Sequence, residues 1–171
     1  MAIREPQRLV IQEALAGAVS GLIATVPMTV TMLVMQRLLP RREQSTLEPR
    51  RISDDMLRKA DLDDELSENE REQFSVMAHF GYGALGGMTY ALADRLLPMP
   101  RGVRGPAYGL LVWAASYAGW LPVAGTLPPP QRRPAGRNVL LIAAHLVWGM
   151  ALDGAATALL RQRSTRSTPR R

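Results

Sequence analysis

The chain has 171 residues, a formal net charge of +6 at pH 7, a mean hydropathy of −0.05 and no cysteine. The missing cysteine excludes disulfide bonds, thiolate metal sites and a cysteine nucleophile. The positive charge alone would suit nucleic-acid binding, but the arginines flank long uncharged stretches, so we expect no nucleic-acid partner.

Four membrane-length stretches with almost no formal charge follow one another along the chain. About 20 apolar residues form a helix long enough to cross a bilayer. None of the stretches alternates polar and apolar residues as a barrel strand does, which leaves helices as the spanning structure. The sequence therefore predicts an all-α integral membrane protein in which four transmembrane helices pack as a small bundle in the lipid bilayer. The predicted spans are at about residues 12–38, 72–96, 105–124 and 138–160, within one membrane domain at 1–163.

The first connection, at residues 40–70, is expected to be partly helical. Ser53 is followed by two acids, a pattern typical of a helix N-terminus, which predicts a short helix from about residue 54 to 60. Its apolar side would lie at the bilayer surface or over the mouth of the bundle, and the alternative is a solvated connector. Ser67 and Glu70 match a capping box, which predicts that the second long helix begins there.

The charges that flank the stretches bear on orientation. The two sides carry nearly equal numbers of basic residues, but five arginines follow Leu160 without any acid, whereas eleven acids accompany the bases of the first connection. We therefore expect both termini to lie in the cytoplasm. The last residues, 164–171, are expected to form a disordered basic tail that is drawn to anionic lipid.

Glycines recur every four residues on three of the predicted helices. Such rows of small residues let two helix backbones approach closely in lipid. They predict tight packing, either within the chain or between copies of it. The residues are Gly17, Gly21, Gly83, Gly87, Gly105 and Gly109.

The two histidines of the chain lie inside predicted spans, His79 in the second and His145 in the fourth. A rise of about 1.5 Å per residue places both imidazoles roughly 9 to 11 Å below the same membrane surface. Polar side chains at this depth usually face the interior of a bundle. The two imidazoles are therefore a candidate shared site. The alternative is that each histidine bonds a carbonyl or hydroxyl of a neighbouring helix and only orders the bundle.

Three further polar residues share the helix faces that carry the histidines. Tyr90 follows His79 at helical spacing, and Asn138 and Asp153 lie on the same broad face as His145. We predict that these five residues form a proton-handling or polar site, because histidine titrates near neutral pH.

Asp153 lies deeper along the fourth predicted helix than His145, about 10 Å from the opposite membrane surface. A carboxylate at that depth is costly unless it is paired or has a function. We expect Asp153 to be a further proton station or to pair with Arg95 or Arg161.

Three functions remain open. The first is a small membrane protein that responds to pH, or handles protons or a small solute, through the polar faces of the second and fourth helices. It would work as a homo-oligomer, because four short helices enclose little space. The second is a structural or assembly partner of a membrane complex that packs through its glycine faces. The third is an electron carrier with haem b between the two histidines. We expect no resident metal or cofactor and no enzymatic activity, because no nucleophile, phosphate-binding loop or paired acids stand at catalytic spacing.

Several short motifs support a resemblance to a known family. They are the run His145-Leu146-Val147-Trp148 followed by Asp153, His79 followed by Tyr90 and Pro98, and the pair Pro49-Arg50. Together they cover the second and fourth helices and part of the first connection, and they resemble the YagU-like family of bacterial inner-membrane proteins of unknown function, or a sister family. The resemblance implies a bacterial inner membrane and no assigned reaction.

Overall fold

The computed structural model describes residues 5–93, 99–100 and 102–166 of the chain. Within these ranges the regular secondary structure is helical, without a strand. The α-helices are α1 (Glu5–Leu38), α2 (Glu48–Lys59), α3 (Glu68–Ala93), α4 (Arg104–Trp113), α5 (Leu121–Val123) and α6 (Ala135–Arg166). A π-helical segment, Ala114–Trp120, joins α4 to α5, and short 3₁₀ turns lie at Arg41–Glu43 and Pro130–Arg132.

Two of the helices are long and apolar enough to cross a membrane, over Gln7–Leu38 in α1 and Ala135–Leu159 in α6. By the same measure of length and composition, α3 and the α4 region do not qualify within the described residues. Glycines and polar side chains dilute the apolar character of α3, and α4 ends after ten residues at the π-helical segment. The predicted all-α fold is confirmed, whereas the bundle of four spanning helices is not.

The ends of two predicted segments differ from the expectation or fall outside the described residues. α6 continues to Arg166, so the first three residues of the predicted tail 164–171 are helical. Residues 167–171 lie outside the described residues, as do 94–96 at the end of the second predicted span, and Pro98.

The first two long helices pack through their backbones. A Cβ atom on Gly17 would overlap the carbonyl oxygen of Gly87, and one on Gly21 would overlap that of Gly83. The later glycine of α1 meets the earlier glycine of α3, so the two helices run antiparallel. The predicted glycine rows of these helices therefore meet each other within one chain.

A second antiparallel pair, α4 and α6, is built in the same way. A Cβ atom on Gly105 would overlap the carbonyl oxygen of Gly149, and one on Gly109 would overlap that of His145. Gly149 was not among the predicted packing glycines, although it lies four residues after His145 and one turn before Asp153. All six predicted glycines thus pack inside the chain.

Contact between α1 and α6 joins the two pairs into one bundle. The buried centre contains large side chains from α1, α3, α5 and α6: Met32, Tyr90, Leu121, Leu140, Leu141 and Leu152. No glycine of the described chain brings α3 against α4. These two helices meet through side chains, which leaves more space between them.

The helix of the first connection begins earlier than predicted. α2 starts at Glu48, with Pro49 in its first turn, where the fixed φ of proline and its missing N–H are tolerated. Ser53 lies inside the helix, and its hydroxyl donates to the carbonyl of Arg50 at 2.9 Å instead of capping an N-terminus. The predicted start at residue 54 is therefore wrong.

The capping box at the start of α3 is confirmed. The backbone N–H of Ser67 donates to Glu70 Oε2 at 2.8 Å, and the backbone N–H of Glu70 points back to Ser67 Oγ at 3.4 Å. α3 accordingly begins at Glu68, before its apolar part.

The outer surface of the bundle is apolar on each of its four sides. Large exposed apolar side chains include Leu22 and Val30 on α1, Met77 and Leu85 on α3, Leu111 on α4, and Val139 and Met150 on α6. Extended apolar surface of this kind marks contact with a membrane or another protein.

Adding one methyl group at the α1–α3 contact should destabilise the bundle. In Gly21→Ala the new Cβ meets the backbone carbonyl of Gly83, which cannot rotate away, so we expect a loss of about 1–3 kcal/mol. Gly154→Ala is the matched control, because nothing lies within 4 Å of a Cβ at that position. There the better helix propensity of alanine should leave stability unchanged or raise it by up to about 1 kcal/mol. Unfolding by SDS in mixed micelles, followed by circular dichroism, measures both; equal stability of the two variants would contradict the packing.

Candidate functional site

A cavity of about 490 Å³ lies inside the bundle, between α1, α3, the π-helical segment and α6, with α2 across one end. Its lining is mostly apolar and aromatic, and includes no Asp, Glu, Lys or Arg. Both histidines line it. The structure thus brings the two residues of the predicted shared site to one space.

His145 is a buried residue of α6, and aromatic side chains line the cavity around it. Its Nδ1 lies 2.8 Å from the carbonyl oxygen of Leu141, one turn earlier in the helix. Because a carbonyl oxygen only accepts, Nδ1 of the neutral ring carries the proton and Nε2 keeps its lone pair. The ring of Tyr117 packs edge to face against the imidazole at 5.5 Å between centroids.

His79 on α3 has the opposite arrangement of its nitrogens. Its Nε2 lies 3.2 Å from the hydroxyl oxygen of Thr29 on α1. Thr29 donates its single proton to the carbonyl of Thr25 at 2.8 Å, so the hydroxyl can only accept from the histidine. Neutral His79 therefore carries its proton on Nε2, and Nδ1 keeps a lone pair.

The side of the cavity opposite α1 is formed by the π-helical segment. Ser116 and Tyr117 of this segment are buried and line the cavity, and the hydroxyls of Ser116 and Tyr82 are hydrogen-bonded at 2.8 Å. Gly119 leaves the helical conformation at φ −107° and ψ −106°. Single π-helical turns inside α-helices are frequent at functional sites, because the added residue redirects the side chains around it.

Asp153 and Tyr90 form a separate cluster. The Tyr90 hydroxyl donates to Asp153 Oδ1 at 2.6 Å, and Arg104 Nη2 donates to the same oxygen at 2.7 Å. Arg104 Nε also donates to the Tyr90 hydroxyl at 2.8 Å. The observed partner of Asp153 is thus Arg104; Arg95 and the side chain of Arg161, the two partners expected from the sequence, lie outside the described residues.

Stacked aromatic rings connect the cavity to this cluster. Trp148 lines the cavity and stacks on Tyr108, with ring centroids 6.0 Å apart. Tyr108 in turn packs against Tyr90 at 5.0 Å, and its hydroxyl donates to the carbonyl of Gly86 at 2.9 Å. The space between the histidines and Asp153 is therefore occupied by rings.

Asn138 lies apart from both groups. Its Nδ2 donates to the carbonyl of Pro130 at 2.7 Å, near the start of α6, and it does not line the cavity. The five residues predicted to share one site thus occupy three places: the cavity, the Asp153 cluster and the start of α6.

α2 covers one end of the cavity, and its residues Ile52 and Met56 line the cavity at that end. A buried ion pair fixes its first turn: Arg137 Nη2 of α6 lies 2.6 Å from Glu48 Oε1, and the two side chains are 4% and 1% exposed. Arg137 also donates to the carbonyl oxygens of Ser45 and Thr46. Sequence reasoning missed this anchor, because the two partners are 89 residues apart and neither belongs to a recognisable motif.

The other end of α2 is held by Lys59. Its Nζ donates to the carbonyl of Ala124 at 2.7 Å and lies 2.7 Å from Asp55 Oδ2. The hydrogen bond from Lys59 is the main cause that lowers the pKa of the buried Asp55 carboxyl below its ordinary value. In the first turn of α2, Arg50 bridges to Glu68 at the start of α3.

Comparison with known proteins places the chain in a family. Residues 28–154 match the family of proteins of unknown function DUF1440, and the chain belongs to that family. The matched region includes both histidines, Tyr90, Arg104 and Asp153. No curated protein and no solved structure matches the chain at a significant level.

The Asp55 carboxylate accepts from Thr126 and from Lys59, which reaches Ala124, so we expect the attachment of α2 to depend on pH. Since the pKa of Asp55 is lower in the folded state, its contribution to stability is fully present above the unfolded value of about 3.9 and is lost as pH falls through the lowered value. We expect α2 amides to be protected about fivefold more in the wild type than in Asp55→Asn at pH 6, which corresponds to about 1 kcal/mol.

Hydrogen exchange in detergent, corrected for intrinsic rates, measures this ratio. It should approach one at the lowest pH at which the protein stays folded. The comparison with Asp55→Asn cancels the contributions of the other acidic residues, which are the same in both proteins. A ratio that does not change with pH would contradict the role of Asp55.

Proposed function

We propose that this protein is a four-span protein of the bacterial inner membrane with both termini in the cytoplasm. The apolar α1 and α6 support two of the spans. The proposal for α3 and α4 rests on their glycine packing against those helices and on their outward apolar side chains. The arginine-rich end of the chain supports the orientation, and the resemblance to YagU-like proteins supports the compartment.

Within this bundle, the cavity is proposed to bind a small solute between His79 and His145. One observation carries the proposal: two imidazoles line a common uncharged cavity, and each keeps an unshared nitrogen lone pair. Cavities of 300–1,000 Å³ with an apolar lining and a few convergent polar groups are typical small-molecule sites. A proton on either free nitrogen would remove its lone pair, so occupancy is linked to pH.

The other functions have less support from the geometry. Asp153 is compensated by Arg104 and Tyr90, which does not suit a proton station. The glycine rows that would serve an assembly partner are occupied inside the chain. If both histidines bound a haem, His79 would have to use its Nδ1, or its Nε2 would have to give up the hydrogen bond to Thr29.

The absence of cysteine allows a direct test of the four spans. Asp64→Cys probes the connection between α1 and α3, and Met99→Cys probes the connection between α3 and α4. With four spans, an impermeant maleimide added to intact spheroplasts labels residue 64 and leaves residue 99 unlabelled until the membrane is permeabilised. With α1 and α6 as the only spans, both residues lie on one side and label alike, which would refute the proposal.

Solute binding is tested with three probes of similar size and different charge: 4-butylphenol, octylamine and octanoic acid. A ligand at about 100 times its Kd stabilises the folded state by about 2.7 kcal/mol, which raises the Tm of a chain of this length by about 5 °C or more. We expect at least one probe to do so in purified wild-type protein and in the control Gly154→Ala, but not in His79→Phe/His145→Phe. The proposal fails if no probe raises the Tm, or if the shift persists in the double variant.

A further inference from the structure

The cavity has an opening on one side, between α3 and the π-helical segment. Tyr82, Leu85 and Trp120 all line the cavity, yet they are 44%, 52% and 45% exposed. The lining residues His145 and Trp148 on α6 are buried in contrast, at 4% and 3%. The gap therefore lies where the two glycine-packed pairs meet through side chains.

The surroundings of this opening are apolar. On the α3 side of the opening, Gly81 lies beside Tyr82. Nothing lies within 4 Å of a Cβ atom built on Gly81. Met56 of α2, also exposed, stands at its upper edge, and α2 itself is fixed by the Glu48–Arg137 ion pair. In a bilayer a lateral gap with such a rim faces hydrocarbon and not water. Solutes that reach it come from the lipid.

The chemistry inside selects among lipid-soluble molecules. A charged ligand would find no compensating side chain, because no ionised residue lines the cavity. The hydroxyls of Tyr82 and Ser116 are bonded to each other, and Thr25 donates to the carbonyl of Gly21. The groups left over in the described lining include the two imidazole lone pairs, which accept hydrogen bonds, and the indole N–H of Trp148, which donates. The matching ligand is uncharged and carries a donor.

We propose that the cavity takes an uncharged lipophilic alcohol or phenol directly from the hydrocarbon layer, through the gap between α3 and the π-helical segment, and that the hydroxyl donates its one proton to the free nitrogen of His79 or of His145. This inference rests on the proposed function of the cavity as a solute site. It adds the class of the solute and its route.

A matched pair of probes tests the ligand class. 4-(Trifluoromethyl)phenol carries a hydroxyl donor, and 4-(trifluoromethyl)anisole has nearly the same shape without one. Both are titrated by ¹⁹F NMR into the full chain in lipid nanodiscs, with empty nanodiscs as the reference for partitioning into lipid. We expect the phenol to bind about tenfold more tightly than the ether, and this preference to vanish in His79→Phe/His145→Phe. Equal binding of the two probes to the wild type, or a preference that survives in the double variant, would overturn the assignment.

A second pair of variants tests the route. Gly81→Leu places a side chain in the open space at the rim, and Gly154→Leu places the same side chain in open space elsewhere on the bundle. Association of the phenol should slow at least tenfold in Gly81→Leu and keep the wild-type rate in Gly154→Leu, because a blocked entrance slows entry and exit alike and leaves the equilibrium affinity unchanged. A wild-type association rate in Gly81→Leu would exclude the lateral route.

The thermal-shift and NMR results distinguish the ligand class inferred here from the solute site on which it rests. If octylamine or octanoic acid raises the Tm through the histidines while the phenol and its ether bind alike, the cavity is a solute site and the ligand class is wrong. If none of the three thermal-shift probes acts through the histidines, the solute site itself is wrong.

Discussion

Backbone contact between glycines holds α1 against α3 and α4 against α6, and the remaining geometry follows from these two contacts. Where Gly21 faces Gly83, and Gly105 faces Gly149, the helix axes come as close as two backbones allow. Side chains on the flanks of such a contact are forced outward or into the space between the pairs. α3 and α4 have no glycine contact with each other, so aromatic side chains separate them and a cavity remains.

Ion pairs at the two ends of the bundle complete this arrangement. Glu48 and Arg137 fasten α2 over one end, and Asp153 and Arg104 join α6 to α4 at the other. Burying a charge is costly unless a partner compensates it, so each pair penalises any packing in which the partners do not meet. The ion pairs therefore restrict the register that the glycine contacts set, and they leave the centre of the bundle without charge.

The role proposed for the two imidazoles depends on that uncharged centre. The carbonyl of Leu141 fixes the proton of His145 on Nδ1, and the hydroxyl of Thr29 fixes that of His79 on Nε2. Both bonds fit the plain interpretation that each histidine orders the bundle. They also determine which nitrogen of each ring is left to accept, and these two nitrogens are the polar part of the proposed binding site. The membership in DUF1440 gives the site a family context without an assigned reaction.

Features that depend on neighbouring residues could be predicted from the sequence: the helical character of the long apolar stretches, the capping box at Ser67 and the position of each histidine within a long helix. Even local signals competed, since Pro49 rather than Ser53 decided where α2 begins. Which groups meet depends on how the helices pack against one another. Helical spacing places Asp153 and His145 on one face but does not say that Arg104 will reach Asp153, or that stacked rings will separate the carboxylate from the imidazole. Such contacts join residues far apart in the chain, and they depend on the register of helix packing, which periodicity within a single helix does not contain.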